Sequence, residues 1–108
     1  MITHPELPIV NMPIAIQKAL AGFGVFFERC LIVTVLHEGA IPLSAIALAV
    51  RQVGPQTTVL ATDFGQVENP SPVEGLRRYI AGMMHLGIGR ADIDRMMRIN
   101  PAWLLGLL

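Results

Sequence analysis

Thr57-Thr58-Val59-Leu60-Ala61-Thr62-Asp63-Phe64-Gly65-Gln66 decides how the rest of the chain is placed. From Thr57 to Ala61 it is β-branched and almost continuous in apolar or small residues, with no alternation of charge, which predicts a strand buried on both faces. Strands of that kind belong to parallel sheets in α/β folds. Asp63 falls at the carboxyl end of the strand, where open α/β sheets and (β/α) barrels place their chemistry. A carboxylate there is well placed to hold a metal. Asp followed shortly by Gly is also ordinary turn chemistry, so Asp63 serves either as a ligand or as a turn former.

Working outward, Pro42 to Val53 carries a wide apolar face through Leu43, Ile46, Ala47, Leu48, Val50 and Val53. Gly54-Pro55 stops it, so a helix is expected to lead directly into the Thr57 strand. Upstream, Phe23 to Glu28 predicts a second buried strand with a carboxylate at its end. Burying Glu28 and Arg29 inside a central strand would be costly, so the chain from there to Leu36 is expected to be irregular or partly helical. Asn11 to Pro13 starts a helix that Gly22 stops. Met1 to Pro5 has the character of the last residues of a strand, which makes His4 either a strand-end residue or an exposed side chain near the terminus.

Downstream, Ser71-Pro72-Val73-Glu74 is a capping box, and Val73, Leu76, Ile80, Met83 and Met84 recur at helical spacing as core filler. Gly87 closes that helix, and Ile88 to Arg98 forms a shorter one. Asn100-Pro101 is expected to end it and to start another, with Asn100 as the cap. His37 is expected to be solvated and His85 to sit at a helix end. The resulting order is strand, helix, strand, helix, strand, an α/β arrangement with a parallel sheet, outer helices and extra carboxyl-terminal helices.

A chain of 108 residues holds one small domain. Hydrophobic residues make up 53%, mean hydropathy is +0.56 and charged residues are only 15%, so the chain is expected to bury surface against something else. Eight basic and eight acidic residues give no electrostatic footprint for nucleic acid or an anionic membrane. The apolar stretch from Leu31 to Val50 is broken by His37, Glu38, Gly39 and Pro42 and is too short to span a bilayer. No secretory leader pattern opens the sequence, which points to a cytoplasmic protein. Cys30 is the one cysteine and is expected to be a small buried hydrophobe. Neither a phosphate-binding glycine loop nor a CxxC or HExxH motif is present.

Taken together, Thr3-His4-Pro5, Phe27-Glu28, Leu60-Ala61-Thr62-Asp63-Phe64-Gly65-Gln66 with Asn69-Pro70 and Glu74-Gly75-Leu76, and Met97-Arg98-Ile99-Asn100-Pro101-Ala102 resemble the carboxyl-terminal part of a metal-dependent hydrolase of the amidohydrolase superfamily. The resemblance covers nearly the whole chain. It implies that residues 1–108 are a single partial domain, about three βα units of a TIM (β/α)₈ barrel, with the last helices docked on the barrel's underside. It also implies roles. Asp63 would stand at the last strand's metal-binding aspartate and take a proton from the attacking water, and His4, ending the sixth strand, would be a second metal ligand or an acid/base group. Glu28 would end the seventh strand and point into the same mouth. The implied cofactor is a divalent metal, zinc foremost, and the implied substrate a small molecule with a C–N or C–O bond to hydrolyse.

The superfamily's first-strand His-x-His pair is missing: His4, His37 and His85 are the three histidines, and no two are separated by one residue. The ligand set in this chain is therefore incomplete, because a zinc site usually takes about three protein ligands. Either a complementary amino-terminal barrel half completes it, or the chain is a non-catalytic remnant that associates through its open sheet, as a homo-oligomer or with a partner.

Overall fold

A computed structural model describes all 108 residues. Three parallel strands, β1 (Ile2–Thr3), β2 (Phe27–Cys30) and β3 (Thr58–Ala61), form one sheet in the order β1-β2-β3. Ile2 pairs with Phe27 and Thr3 with Glu28; Phe27 to Cys30 then pair with Thr58 to Ala61 in step. Helices α1 (Ile14–Gly22) and α2 (Leu43–Val53) connect the strands, and α3 (Pro72–His85) follows β3. The α/β arrangement and the parallel sheet thus follow the expectation. No helix is long and apolar enough to cross a membrane.

The core lies between the sheet and its helices. Leu31, Val33, Ile46, Ala47, Val50, Leu60, Tyr79, Met83, Ile88, Ile93 and Met96 form one buried cluster. Ile46, Ala47 and Val50 come from the predicted face of α2, whose spacing of three and four residues brings them onto one side. α3 begins as its capping box requires, with Ser71 Oγ accepting from the Glu74 backbone N–H at 3.2 Å and Pro72 in the first turn. Its inward face differs from the expected one. Gly75, Tyr79 and Met83, four residues apart, are buried, while Val73 and Met84 are exposed. The close fit of Gly75 decides the rotation: a Cβ there would meet the Phe64 ring at 2.5 Å, so the helix can approach the β3 loop only on that side.

Two further expectations are corrected. The second strand does not stop at Glu28 but runs on through Arg29 to Cys30, and Arg29 has no exposed surface. Burial is tolerated because Arg29 Nη1 donates to Glu6 Oε1 and to Gln17 Oε1, both at 2.8 Å, and the guanidinium lies 5.4 Å from the Phe27 ring centroid. The irregular stretch begins only after Cys30, as a 3-10 turn at Leu31–Thr34.

The second correction concerns Asn100-Pro101. No helix ends there: α4 (Arg90–Asp94), a π-helical turn (Arg95–Ile99) and α5 (Asn100–Leu104) continue one another, with Asn100 itself helical at φ −61°, ψ −47°. A proline inside a helix lacks an N–H and crowds the carbonyl four residues back. The widened turn, in which the Asn100 N–H reaches Arg95 O, directly precedes Pro101 and takes up that crowding. The Asn100 side chain, 4% exposed, is freed from capping and donates instead to Pro55 O at 2.8 Å and Thr58 O at 2.7 Å. α5 thereby passes the start of β3, and Trp103 stacks on Phe26 at 5.5 Å between centroids.

Candidate functional site

The site is built at the carboxyl ends of the strands. β1 ends at Thr3, and His4 N donates to Glu28 O at 3.0 Å, so the imidazole leaves the sheet beside β2. β3 ends at Ala61, and Ile32 N donates to Thr62 O at 3.1 Å, which carries that pairing past the strand. The two outer strands therefore reach over the end of the middle one. His4 Nε2 and Asp63 Oδ2 meet there at 3.2 Å.

Both residues hold a left-handed backbone, His4 at φ 57° and Asp63 at φ 55°. For residues other than glycine that conformation is uncommon and costs about 1–2 kcal/mol, with Asp, Asn and His the most tolerant. Such turns re-aim a side chain that regular strand geometry would send to one face. The loop after Asp63 is pinned by its own amides: Gln66 Nε2 donates to Asp63 O at 3.2 Å, and Gln66 Oε1 accepts from Gly65 N at 3.2 Å and Asn69 Nδ2 at 2.9 Å. Thr62 Oγ1 also accepts from Phe64 N at 3.2 Å. Asp63 is thus both a turn residue and a presented carboxylate, so the two roles open in the sequence coexist.

Glu28 stands elsewhere. It is the second residue of β2, and its Oε2 accepts from its register partner Thr3 at 2.8 Å. It shares a cavity of about 200 Å³ with Met1, Val59, Pro101, Leu104 and Leu105, where α5 laps the sheet. Cys30, 1% exposed, lies two residues further along β2. Burial first, and then the charges of Glu28 and Asp63, push its thiol far above the ordinary value of 9.0, so it stays a thiol rather than a nucleophilic thiolate.

His4 and Asp63 fit two corners of a metal's coordination sphere. Ligand atoms each ~2.1 Å from a tetrahedral zinc stand ~3.4 Å apart, close to the separation here. The fit ends with that pair, since nowhere in the chain do three or more His, Cys, Asp or Glu side chains come together in a way that could hold a metal. His4 Nδ1 is buried without a hydrogen-bond partner, so nothing in this chain fixes the ring from behind as metal-bound histidines usually require. His37 is exposed on the loop after β2, and His85 is exposed at the end of α3.

The Gln66 and Asn69 clamp was not foreseen as part of the site. Its signal is the spacing Asp63, Gly65, Gln66, Asn69 in the quoted stretch, where side-chain amides three apart follow a turn-forming aspartate. Fold and rim together define a small parallel α/β unit that presents a histidine–aspartate pair where its outer strands end. Comparison with models of protein families, with curated proteins and with solved structures finds no match to the chain.

Proposed function

We propose that the chain is the carboxyl-terminal part, about three βα units, of a TIM-barrel metal-dependent hydrolase resembling the amidohydrolases, acting on a C–N or C–O bond once strands from outside these 108 residues complete the site. The observation that carries this reading is the 3.2 Å pair of His4 and Asp63, set by left-handed turns at the carboxyl rim of a parallel sheet. Burying strain of that kind in two polar residues that face each other is what a functional rim does.

In this reading His4 Nε2 and Asp63 Oδ2 would hold a divalent metal, zinc by their chemistry, with the other ligands coming from the completing strands. Such a metal supplies a water acidic enough to attack near neutral pH. Asp63, half-exposed at 53%, has its second carboxylate oxygen free to accept the proton of that water. Glu28 is held by Thr3 within β2 and acts as a positioning residue: it keeps negative charge behind the rim.

Titration of the isolated chain with Zn²⁺, followed by the His4 imidazole resonances, tests the pair. Saturable one-to-one binding weaker than about micromolar is expected from two ligands. His4→Ala and Asp63→Asn should each abolish it while leaving the fold intact. Binding unchanged in Asp63→Asn would reject the assignment, and tight stoichiometric binding would show that the ligand set is not the one described.

A second reading is favoured by the open sheet, whose β1 and β3 each lack a neighbour on one side, and by exposed Phe23, Leu105, Leu107 and Leu108. In it the chain is an interaction domain that pairs with a copy of itself or with another polypeptide, without catalysis.

A further inference from the structure

We infer that the rim carries a recognition pocket for a small apolar molecule bearing a protonated amine, lying between the loops after β2 and β3. A concavity of about 460 Å³ opens there, lined by Ile32, Val35, Leu36, His37, Gln66, Glu68 and Asn69. Gln66 joins it to the His4–Asp63 pair, because its amide nitrogen donates to Asp63 O. As a statement about the hydrolytic substrate this rests on the function proposed above; as a statement about binding it stands on the pocket alone.

The lining is divided chemically. Ile32, Val35 and Leu36 give an aliphatic wall of the kind that takes the body of a ligand. The polar capacity opposite is nearly all acceptor. Both ends of the Gln66 amide are spent within the loop, and the Asn69 amide nitrogen is spent on Gln66, which leaves Asn69 Oδ1 and the Glu68 carboxylate. A ligand satisfies them only by donating.

Charge points the same way. The net charge is zero, yet it is not evenly spread. Lys18, Arg51, Arg77, Arg78, Arg90, Arg95 and Arg98 all lie on helical segments, and Arg29 is buried inside β2. None lies in the three segments that follow the strands, residues 4–13, 31–42 and 62–71, whereas Glu6, Glu38, Asp63 and Glu68 do. Glu6 is neutralised by Arg29, and the other three are not paired with any lysine or arginine. A carboxylate or phosphate entering this rim meets like charge with no cation to receive it, which disfavours it as strongly as contacts favour an amine. The groove between α3 and α4, about 440 Å³ and lined by Ile80, Met84, Arg90, Ile93, Asp94 and Met97, has no such one-sided lining.

A matched pair of probes tests this on the whole chain: 3-methylbutylamine and 3-methylbutanoate, alike in shape and opposite in charge. Backbone and side-chain amide shifts of Gln66 and Asn69 are followed by ¹H–¹⁵N correlation spectra. The amine is expected to bind saturably at millimolar concentration and about tenfold more tightly than the acid. Glu68→Gln should weaken the amine about threefold and leave the acid no weaker than before, with the remaining spectrum unchanged. Equal or tighter binding of the acid, no saturable shift with the amine, or an amine affinity indifferent to Glu68→Gln would each overturn the proposal. No metal enters this measurement, so it can fail while the zinc titration succeeds, and the reverse.

Discussion

Arg29 carries a guanidinium into a strand with no exposed surface, and its nearest counter-charge, Glu6, is itself only 8% exposed. Moving both ions out of water costs several kcal/mol each, and a 2.8 Å contact offsets that only while both partners stay. The match is imperfect: Arg29 Nη2 and Glu6 Oε2 are buried without partners. Arg29→Met should therefore destabilise the fold by about 3–5 kcal/mol, because it strands a buried carboxylate. Arg29→Met combined with Glu6→Leu should cost much less than the sum of the single changes. Urea unfolding of the four proteins in the cycle measures the coupling, and additive effects would show that the pair contributes nothing. The strand end at Glu28 was misjudged for the same reason. Glu6 and Gln17, which make Arg29 buriable, lie 23 and 12 residues away, and no local pattern announces them. Asp63 was legible because its cue, an apolar run ending in a carboxylate and a glycine, is local. That His4 would face it was not derivable from spacing, since it depends on the register of three strands and on two left-handed turns.

Among the elements, the helical rod of α4 and α5 is fixed to the sheet at one point. Asn100 donates two hydrogen bonds to the backbone just before and at the start of β3. Each is worth about 1 kcal/mol, and loss of the donor leaves buried carbonyls unpaired. Asn100→Ala is expected to cost about 2–3 kcal/mol, and Asn100→Asp more, because it sets a carboxylate against two carbonyl oxygens. Thermal unfolding should show the alanine variant melting about 10 °C lower. A change within a degree or two would mean that the π turn and the Trp103 stack hold the rod without it. Asn before Pro is a strong helix-start signal, and the signal failed because tertiary hydrogen bonds recruited the side chain that would have capped. The capping box at Ser71 held, since no competing partner lies near that exposed end. The face of α3 was displaced by a glycine, a residue that periodicity cannot score as inward.

At the level of the whole molecule, a high hydropathy is matched by a large exposed apolar surface. Leu105, Leu107 and Leu108 are each more than 70% exposed, and Phe23 is 87% exposed. Patches of that kind on a small domain mark an interface. Weight-average mass in sedimentation is accordingly expected to rise with concentration, and Leu105→Glu with Leu108→Glu should hold the chain monomeric. A mass independent of concentration in the unaltered chain would argue against self-association as the role of this surface. Composition foretold buried contact with something else but not where it would lie, because a count of apolar residues carries no position.

The order β1-β2-β3 has one more consequence. Spatial neighbours in the sheet are successive in the polypeptide, with Ile2 beside Phe27 and Phe27 beside Thr58. Each strand finds its mate after one short loop closure, a separation that costs little entropy. Assembly can then keep pace with translation: every segment leaving the ribosome docks on the one made just before it, and no partner has to wait for the far end of the chain.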